Sequence, residues 1–326
     1  MATVLIALAS GRKHGYTAGL WQRAIDGASA VEGAAVDAVH LHDFRFGPCT
    51  SCFCCIRHRG TGCVLDDDFG RKGDGELYRK VAGAHAVMLV DAVHNWGPSA
   101  IAHLFMERLY PLLWAGTRRG LPFASISCAT NQGMHHLARE NYCRWAGGLG
   151  LRYIGGLAIH TTLYDAALRQ SQALGSALAE AAAGHQREGR SDWSDLELYR
   201  HHLDQPWGFV GPYLHNLTDG TMDADRSLIA RGIATFRQPE AVELLRQALP
   251  ELRQALQAHA AGKPEQAIPH LVAAGSRWTH ATWKEFLEDD VIGIPIPETY
   301  RRAENNSSRT GPERLHSNSR SDDNSR

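Results

Sequence analysis

The sequence predicts an α/β fold: a five-stranded parallel sheet with helices on both faces, continued by a C-terminal helical extension. Three observations carry this prediction. Five apolar, β-branched runs recur along the first half of the chain, each followed by a loop and then by a stretch with helical spacing. The runs are apolar without alternation, as expected of strands buried on both faces, and such strands belong to parallel sheets. After residue 186 the strand signals stop and amphipathic helical patterning takes over.

Taken in order, ATVLIALAS reads as the first strand, GRKHGYT as its loop and TAGLWQRAIDGASA as its helix. VDAVHLHD follows as a strand, then a cysteine-rich loop and a helix near GELYRKVAG. AHAVMLVDAV leads through HNWG into the helix PSAIAHLFMERLYPLLWAG. LPFASISCA leads through TNQG into MHHLARENYCRWAGGLG, and RYIGGLAIH is followed by the helix DAALRQSQALGSALAEAAAGH. This defines a domain over residues 1–186, with the cysteine-rich loop at 48–69. Residues 187–300 form the helical extension, opening on the linker-like QREGRSDWSD. Within it Val242, Leu245, Leu249, Leu252 and Leu256 form a helical stripe that Pro250 should kink or split. Trp278 and Trp283 read as core aromatics. Residues 301–326 are nearly free of apolar side chains and are expected to be disordered.

Thirty-four basic against thirty-five acidic residues leave a formal charge of -1, so no global field invites nucleic acid or an anionic membrane. Small molecules are the better expectation. The opening MATVLIALASGRK lacks the basic leader of a signal peptide, and no apolar run approaches the ~18 residues of a membrane span. A cytoplasmic location follows as an expectation, one in which thiols stay free and a dense cysteine cluster serves metal or redox chemistry.

In an open parallel sheet, ligands bind outside the carboxyl ends of the strands, where the strand order reverses. SGRKHGYT offers the hydroxyls of Ser10, Tyr16 and Thr17, the cations Arg12 and Lys13, and the amino end of a helix, which together suit one phosphate. It is neither GxGxxG nor GxxxxGK[ST], so a dinucleotide fingerprint and a Walker loop are both absent. The third strand ends in Ala92, Val93, His94, Asn95 and Trp96, and the fourth runs into Thr130, Asn131, Gln132 and Gly133. Rings and exposed backbone polar groups there suit a flat, polar-edged ring system, and FMN combines that with one phosphate.

Five of the seven cysteines fall between residues 49 and 63. Cys49, Cys52, Cys55 and Cys63 have the spacing CxxCxxCx7C, with Cys54 extra and expected to be a small buried filler. Four thiolates suit a [4Fe-4S] cluster or zinc, and free thiols lining a loop are the plain alternative. Three cysteines at consecutive two-residue gaps match the ferredoxin style better than paired zinc knuckles. Cys128 and Cys143 sit in apolar contexts and read as core. Asp66, Asp67 and Asp68 read as a helix cap or acidic turn, and the pairs His135/His136 and His201/His202 as surface histidines. Arg57, His58 and Arg59 stand in the loop either as solvated charges or to offset a thiolate-bound cluster.

The strand leading into S-G-R-K-H-G-Y-T, the CxxCxxC...GxC...DD loop, and AVHNWGPSA leading into MERLYP resemble the flavodoxin-like NAD(P)H-dependent FMN reductase family, and within it the iron-sulfur flavoproteins. The resemblance covers about residues 3–185. It implies a flavodoxin-like fold, FMN phosphate near Ser10, Arg12, Tyr16 and Thr17, and the isoalloxazine along Ala92 to Trp96 and near Thr130 to Gly133. The chain departs from the family where Ala92, Val93 and His94 replace the usual Pro-Val-Tyr, and where TNQG stands for a longer glycine-rich run.

The expected activity is that of an FMN-dependent NAD(P)H oxidoreductase. Electrons pass from a reduced donor through FMN and a [4Fe-4S] cluster to a quinone, oxygen or a protein acceptor, in a homo-oligomer with neither nucleic acid nor membrane as partner. The rival expectations are a flavin electron carrier without turnover and a zinc-stabilised interaction module.

Overall fold

The computed structural model describes residues 1–58, 60–115, 120–130, 134–187, 197, 201 and 210–285. Strands β1 (Ala2–Ala9), β2 (Ala34–His40), β3 (Ala86–Ala92), β4 (Pro122–Ala129) and β5 (Arg152–His160) form one parallel sheet in the order β2-β1-β3-β4-β5. This is the flavodoxin-like order, and the chain reverses its direction of sheet growth between β1 and β3. The central strands are covered on both sides, β4 along its whole length. That is why they carry apolar runs instead of alternation.

Helix α1 (Tyr16–Ser29) follows β1, α2 (Cys54–Arg57) and α3 (Glu76–Gly83) follow β2, and α4 (Ala100–Arg108) and α5 (Tyr110–Ala115) follow β3. Helix α6 (His135–Gly148) follows β4, and α7 (Tyr164–Arg187) follows β5. One face of the sheet packs Leu5, Leu89 and Phe123 against α3, α4 and α6, and the other packs Val4, Ile6, Val90 and Ile126 against α1 and α7. Helices α1 and α7 meet at two glycines. A Cβ on Gly27 would overlap the Gln172 carbonyl, and one on Gly175 the Ala24 carbonyl, so this close approach requires glycine at both positions.

Two expectations are corrected. The helix read as one from Pro98 to Gly116 is two helices, because Pro111 has no N-H to extend the ladder across Leu109. In the extension, α8 (Val210–Leu217), α9 (Leu228–Thr235), α10 (Pro239–Ala260) and α11 (Pro264–Trp283) enclose their own core. There α10 runs through Pro250 as one helix, held by Ala241, Leu245, Ala248, Leu252 and Ala255, all buried. The packed stripe is thus built from alanines as much as leucines, and Val242 stands off it. Trp278 packs on this core beside Phe236, as expected of a core aromatic. The 301–326 tail, His202, and residues 188–195 of the QREGRSDWSD linker lie outside the described residues.

Candidate functional site

The loop from Ser10 to Gly15 leaves β1 at the reversal point, and α1 begins on Gly15, whose φ of 102° suits a residue without Cβ. No side chain caps α1 and its first turn has no acidic residue, so its leading N-H groups remain available to an anion. Ser10 and Thr17 are buried at the base of this loop, and Gly11, Arg12 and Lys13 are exposed. The Arg12 N-H donates to Ser10 Oγ at 3.4 Å, curling the loop, and the Thr17 hydroxyl bonds the Cys128 thiol below it. Lys13 is turned to Asp43, its Nζ 2.7 Å from a carboxylate oxygen, so this cation is shared with the end of β2. Exposed Tyr16 stands edge-on to Tyr164, ring centroids 4.9 Å apart.

The loop after β3 is a tight reversal: His94 N-H donates to the Gly97 carbonyl and Gly97 N-H to the His94 carbonyl, both at 3.0 Å. The two residues between them, Asn95 (φ 47°) and Trp96 (φ 65°), are both left-handed, the geometry of a two-residue hairpin turn. A tryptophan rarely tolerates that conformation, and the turn holds its ring 59% exposed at the carboxyl edge of the sheet. Val93 N-H donates to the Cys128 carbonyl at 2.8 Å, anchoring the loop to β4. Thr130 is exposed at the end of β4, and Asn131, Gln132 and Gly133 lie outside the described residues.

Beneath this loop lies a buried carboxyl group that the sequence reading passed over. Asp91 accepts from Ser99 N-H at 3.0 Å and from the Tyr142 hydroxyl at 2.7 Å, and its Oδ1 has no partner. Burial pushes its pKa up to about 7, against the pull of these hydrogen bonds. Ser99 in turn caps α4 and donates its hydroxyl to the Ala9 carbonyl at 3.2 Å. Asp91 and Ser99 therefore tie the loop after β3 to the end of β1, where the Ser10–Gly15 loop begins.

The cysteine-rich loop leaves β2, the neighbour of β1 on the same sheet edge. His40 Nε2 lies 2.5 Å from the Ser10 carbonyl, joining the roots of the two loops. Ser51 and Phe53 have positive φ, and α2 then carries Cys54 and Cys55. Cys49, Cys52, Cys55 and Cys63 all line one small cavity of about 30 Å3, closed by Arg108 and Tyr110. Burial pushes the Cys55 thiol up to about 11, with Cys49, Cys52 and Cys63 adding to it. Cys49 and Cys54 are raised likewise, burial first. Cys54 is only part-buried and interacts with Cys52, so the expected buried filler is instead part of the thiol group. Cys128 and Cys143 are buried, as expected of core residues. The donor types suit a metal or cluster, yet among the described residues no three His, Cys, Asp or Glu side chains are grouped to hold a single metal ion.

Arg108, on the C-terminal turn of α4, organises this loop and was not anticipated. Only 1% exposed, it donates to the Gly47 carbonyl at 2.6 Å, to both Asp67 oxygens at 2.7 and 2.9 Å, and to Cys63 Sγ at 3.4 Å. Burial raises the Asp67 carboxyl, but the guanidinium and the N-H groups of Gly47 and Phe69 outweigh it, leaving the carboxyl below the usual carboxylate range. The Asp66–Asp68 triplet is therefore no simple acidic turn: Asp67 is paired inside, Asp68 accepts Arg45 N-H at 2.7 Å, and Asp66 is exposed with Arg71. Beside Arg108, Glu107 accepts the Cys49 N-H at 3.2 Å. A signal for Arg108 was present, since it falls three residues after Phe105 and four before Leu112, on the buried stripe.

His135 and His136 read from the sequence as surface histidines, with one of the pair able to face the site. Their rings lie 4.7 Å apart, and His135 also approaches His160 at 5.8 Å, so the carboxyl ends of β4 and β5 gather three imidazoles. Arg59 lies outside the described residues, and Arg57 and His58 are exposed.

Residues 2–156 match the NADPH-dependent FMN reductase family. With the strand order above, this gives the class of the domain: a flavodoxin-like domain similar over residues 2–156 to the NADPH-dependent FMN reductases. Among solved structures, the flavodoxin, WrbA-like protein from Agrobacterium tumefaciens is 14% identical, covering 57% of this chain and 99% of its own, with a TM-score of 0.38. The azoreductase from Bacillus anthracis str. Sterne is 15% identical, covering 57% of this chain and 100% of its own, with a TM-score of 0.39. Two-electron reduced Megasphaera elsdenii flavodoxin is 17% identical, covering 54% and 98%, with a TM-score of 0.37. No curated protein matches the chain. Among the described residues no helix is long and apolar enough to cross a membrane.

Proposed function

We propose that the chain is an iron-sulfur flavoprotein-type reductase that takes electrons from NAD(P)H onto FMN and passes them through a [4Fe-4S] cluster to an acceptor. Bound FMN accepts a hydride and releases electrons singly, and a cluster carries one electron at a time. The observation that carries this reading is the junction of the two loops: the roots of the phosphate loop and the cysteine loop meet at His40 and Ser10.

The residues present suit FMN. The uncapped first turn of α1, the Ser10 and Thr17 hydroxyls and the Arg12 guanidinium would hold the phosphate, and Lys13 and Tyr16 would flank it. The loop from Ala92 to Trp96, with Thr130 and the TNQG segment, would border the ring. Asp91 and Ser99 fix the floor of that loop, so ring and phosphate would be held by elements sharing one set of hydrogen bonds.

Cys49, Cys52, Cys55 and Cys63 would ligate the cluster. Each of the four thiolates would bind a different iron of the cluster. Arg108, inside the loop and touching Cys63, would offset the charge of the ligated thiolates. Helix α4 runs from the ring loop to the cysteine loop, ~12 Å between Ser99 and Glu107 at 1.5 Å per residue.

Anaerobic purification with quantitation of FMN, iron, sulfide and zinc tests this. The expected result is one FMN per chain, with iron and sulfide in equal amounts and NADH or NADPH oxidation in the presence of a dye acceptor. Zinc in place of iron, or protein that takes up no FMN, would reject it.

A further inference from the structure

The surroundings of Asp91 are lopsided. The carboxyl is fully buried, and the Ser99 N-H and the Tyr142 hydroxyl both donate to its Oδ2, at 3.0 and 2.7 Å, while no donor reaches Oδ1. An ionised carboxylate needs donors at both oxygens, whereas a neutral acid accepts at one oxygen and holds its proton on the other. Two donors on Oδ2 and none on Oδ1 is the pattern of the acid. Ser127, opposite Asp91 in the β3–β4 register, adds no compensation for a charge, since its hydroxyl is buried without a partner as well. The titratable groups that feel Asp91 are Tyr142 on α6 and Cys128 on β4, with Tyr153 behind Tyr142, and burial raises all three, so none of them becomes charged near neutral pH. From β1 and α4 it meets Ala9 and Ser99, which do not titrate. Burial likewise pushes Asp91 up to about 7, so within this set it is the group that changes charge there.

We infer that Asp91 is a positioning residue for FMN: its neutral carboxyl keeps the loop after β3 docked, and loss of the proton frees that loop and weakens FMN binding. This rests on the FMN site proposed above. The path of action is short. Asp91 directly precedes the loop from Ala92 to Trp96, its partner Ser99 bonds the Ala9 carbonyl where the Ser10–Gly15 loop begins, and Tyr142 holds it to α6. A charge on Oδ1 requires water, and the cover that yields most readily is the loop after β3, which already holds Asn95 and Trp96 in a left-handed backbone. A phosphate bound beside Ser10 would be repelled by the ionised carboxylate, an effect of the same sign.

The test titrates the full-length chain with FMN by equilibrium dialysis from about pH 6 to about pH 9, in the parent, Asp91→Asn and Tyr142→Phe. Other groups that titrate in this range, the flavin phosphate and the histidines of the loops included, are common to these proteins, so the comparison isolates Asp91. As pH rises through about 7, FMN affinity of the parent is expected to fall roughly tenfold or more relative to Asp91→Asn, each pH unit between the free and bound pKa values giving up to about a factor of ten. Calorimetry in buffers of different ionisation heat should show up to about one proton taken up with each FMN near pH 8 in the parent, an uptake missing from Asp91→Asn. Tyr142→Phe removes a donor that favours the carboxylate, so its fall in affinity should begin at higher pH. A residue that only packed would change FMN affinity by the same factor at every pH.

Parallel affinity curves for the parent and Asp91→Asn would overturn the inference. So would a parent whose affinity rises with pH relative to Asp91→Asn, because the ionised form would then be the better binder. Should Asp91→Asn fail to fold, the parent and Tyr142→Phe decide, and an unshifted pH profile in Tyr142→Phe overturns the inference. A parent that takes up no FMN at any pH rejects the proposed FMN site and this inference with it. FMN that binds with a pH profile indifferent to both substitutions refutes the role of Asp91 alone and leaves the proposed function standing.

Discussion

Replacing Asp91 with asparagine should remove a pH dependence from the stability of the domain. In the folded chain the carboxyl keeps its proton up to about pH 7 because charging it inside the protein is costly, whereas in the unfolded chain it titrates near 3.8. Between those values the folded state holds one more proton at Asp91 than the unfolded state, so the contribution of this group to stability is greatest below pH 4 and falls as pH rises, levelling off above pH 7. At roughly 1.4 kcal/mol per pH unit, the fall amounts to about 4 kcal/mol. Asparagine carries no such proton and still offers an oxygen to Ser99 N-H. Relative to the parent, Asp91→Asn should therefore gain up to about 4 kcal/mol between pH 4 and pH 8, on top of any pH-independent offset from altered hydrogen bonds. Urea unfolding followed by circular dichroism across that range measures the difference. Parallel stability curves for the two proteins would show that Asp91 is charged or solvated in the native state, and the account of this buried carboxyl would be wrong.

Removing the guanidinium in Arg108→Met leaves Asp67 without its partner and should cost about 3–5 kcal/mol. The double change with Asp67→Leu should recover most of that in thermal melts, and failure to recover would mean that Arg108 acts mainly through Gly47 and Cys63. Gly27→Ala forces a methyl into the Gln172 carbonyl, and overpacking of this kind costs about 1–3 kcal/mol or more, visible as a lowered midpoint in urea. Arg12→Ala should weaken FMN binding roughly ten- to hundredfold, the equivalent of one charge-assisted hydrogen bond at about 1.5–3 kcal/mol, measured by flavin fluorescence quenching. An unchanged affinity would remove Arg12 from the phosphate site.

The sheet was legible because its signals are local. Each strand is a run of apolar residues and each loop a break in it, so strand count, parallel order and the loops at the carboxyl edge follow from short windows of sequence. The CxxCxxCx7C spacing is local in the same way, and all four of its cysteines do line one cavity. What periodicity could not reveal are partners far apart in the chain. Asp67 meets Arg108 forty-one residues on, Asp91 meets Tyr142 at a separation of fifty-one, and His40 reaches back thirty residues to Ser10. Such pairs are brought together by helices docking on the sheet, and nothing within a short window records which polar side chain will be trapped there.

The same holds for α10, where sequence read a kink or two abutting helices at Pro250 and packing on the extension's core kept one helix. It holds also for a cavity beside Trp145, whose walls come from the cysteine loop, α2, α4, α5 and α6. The sequence by itself determined the layered scaffold and the chemistry available at its rim, because backbone preference and hydrophobic pattern act over a few residues. Tertiary structure alone decided which charges are buried, which loops are tied together and where space is left, because those depend on contacts that exist only once the helices have closed on the sheet.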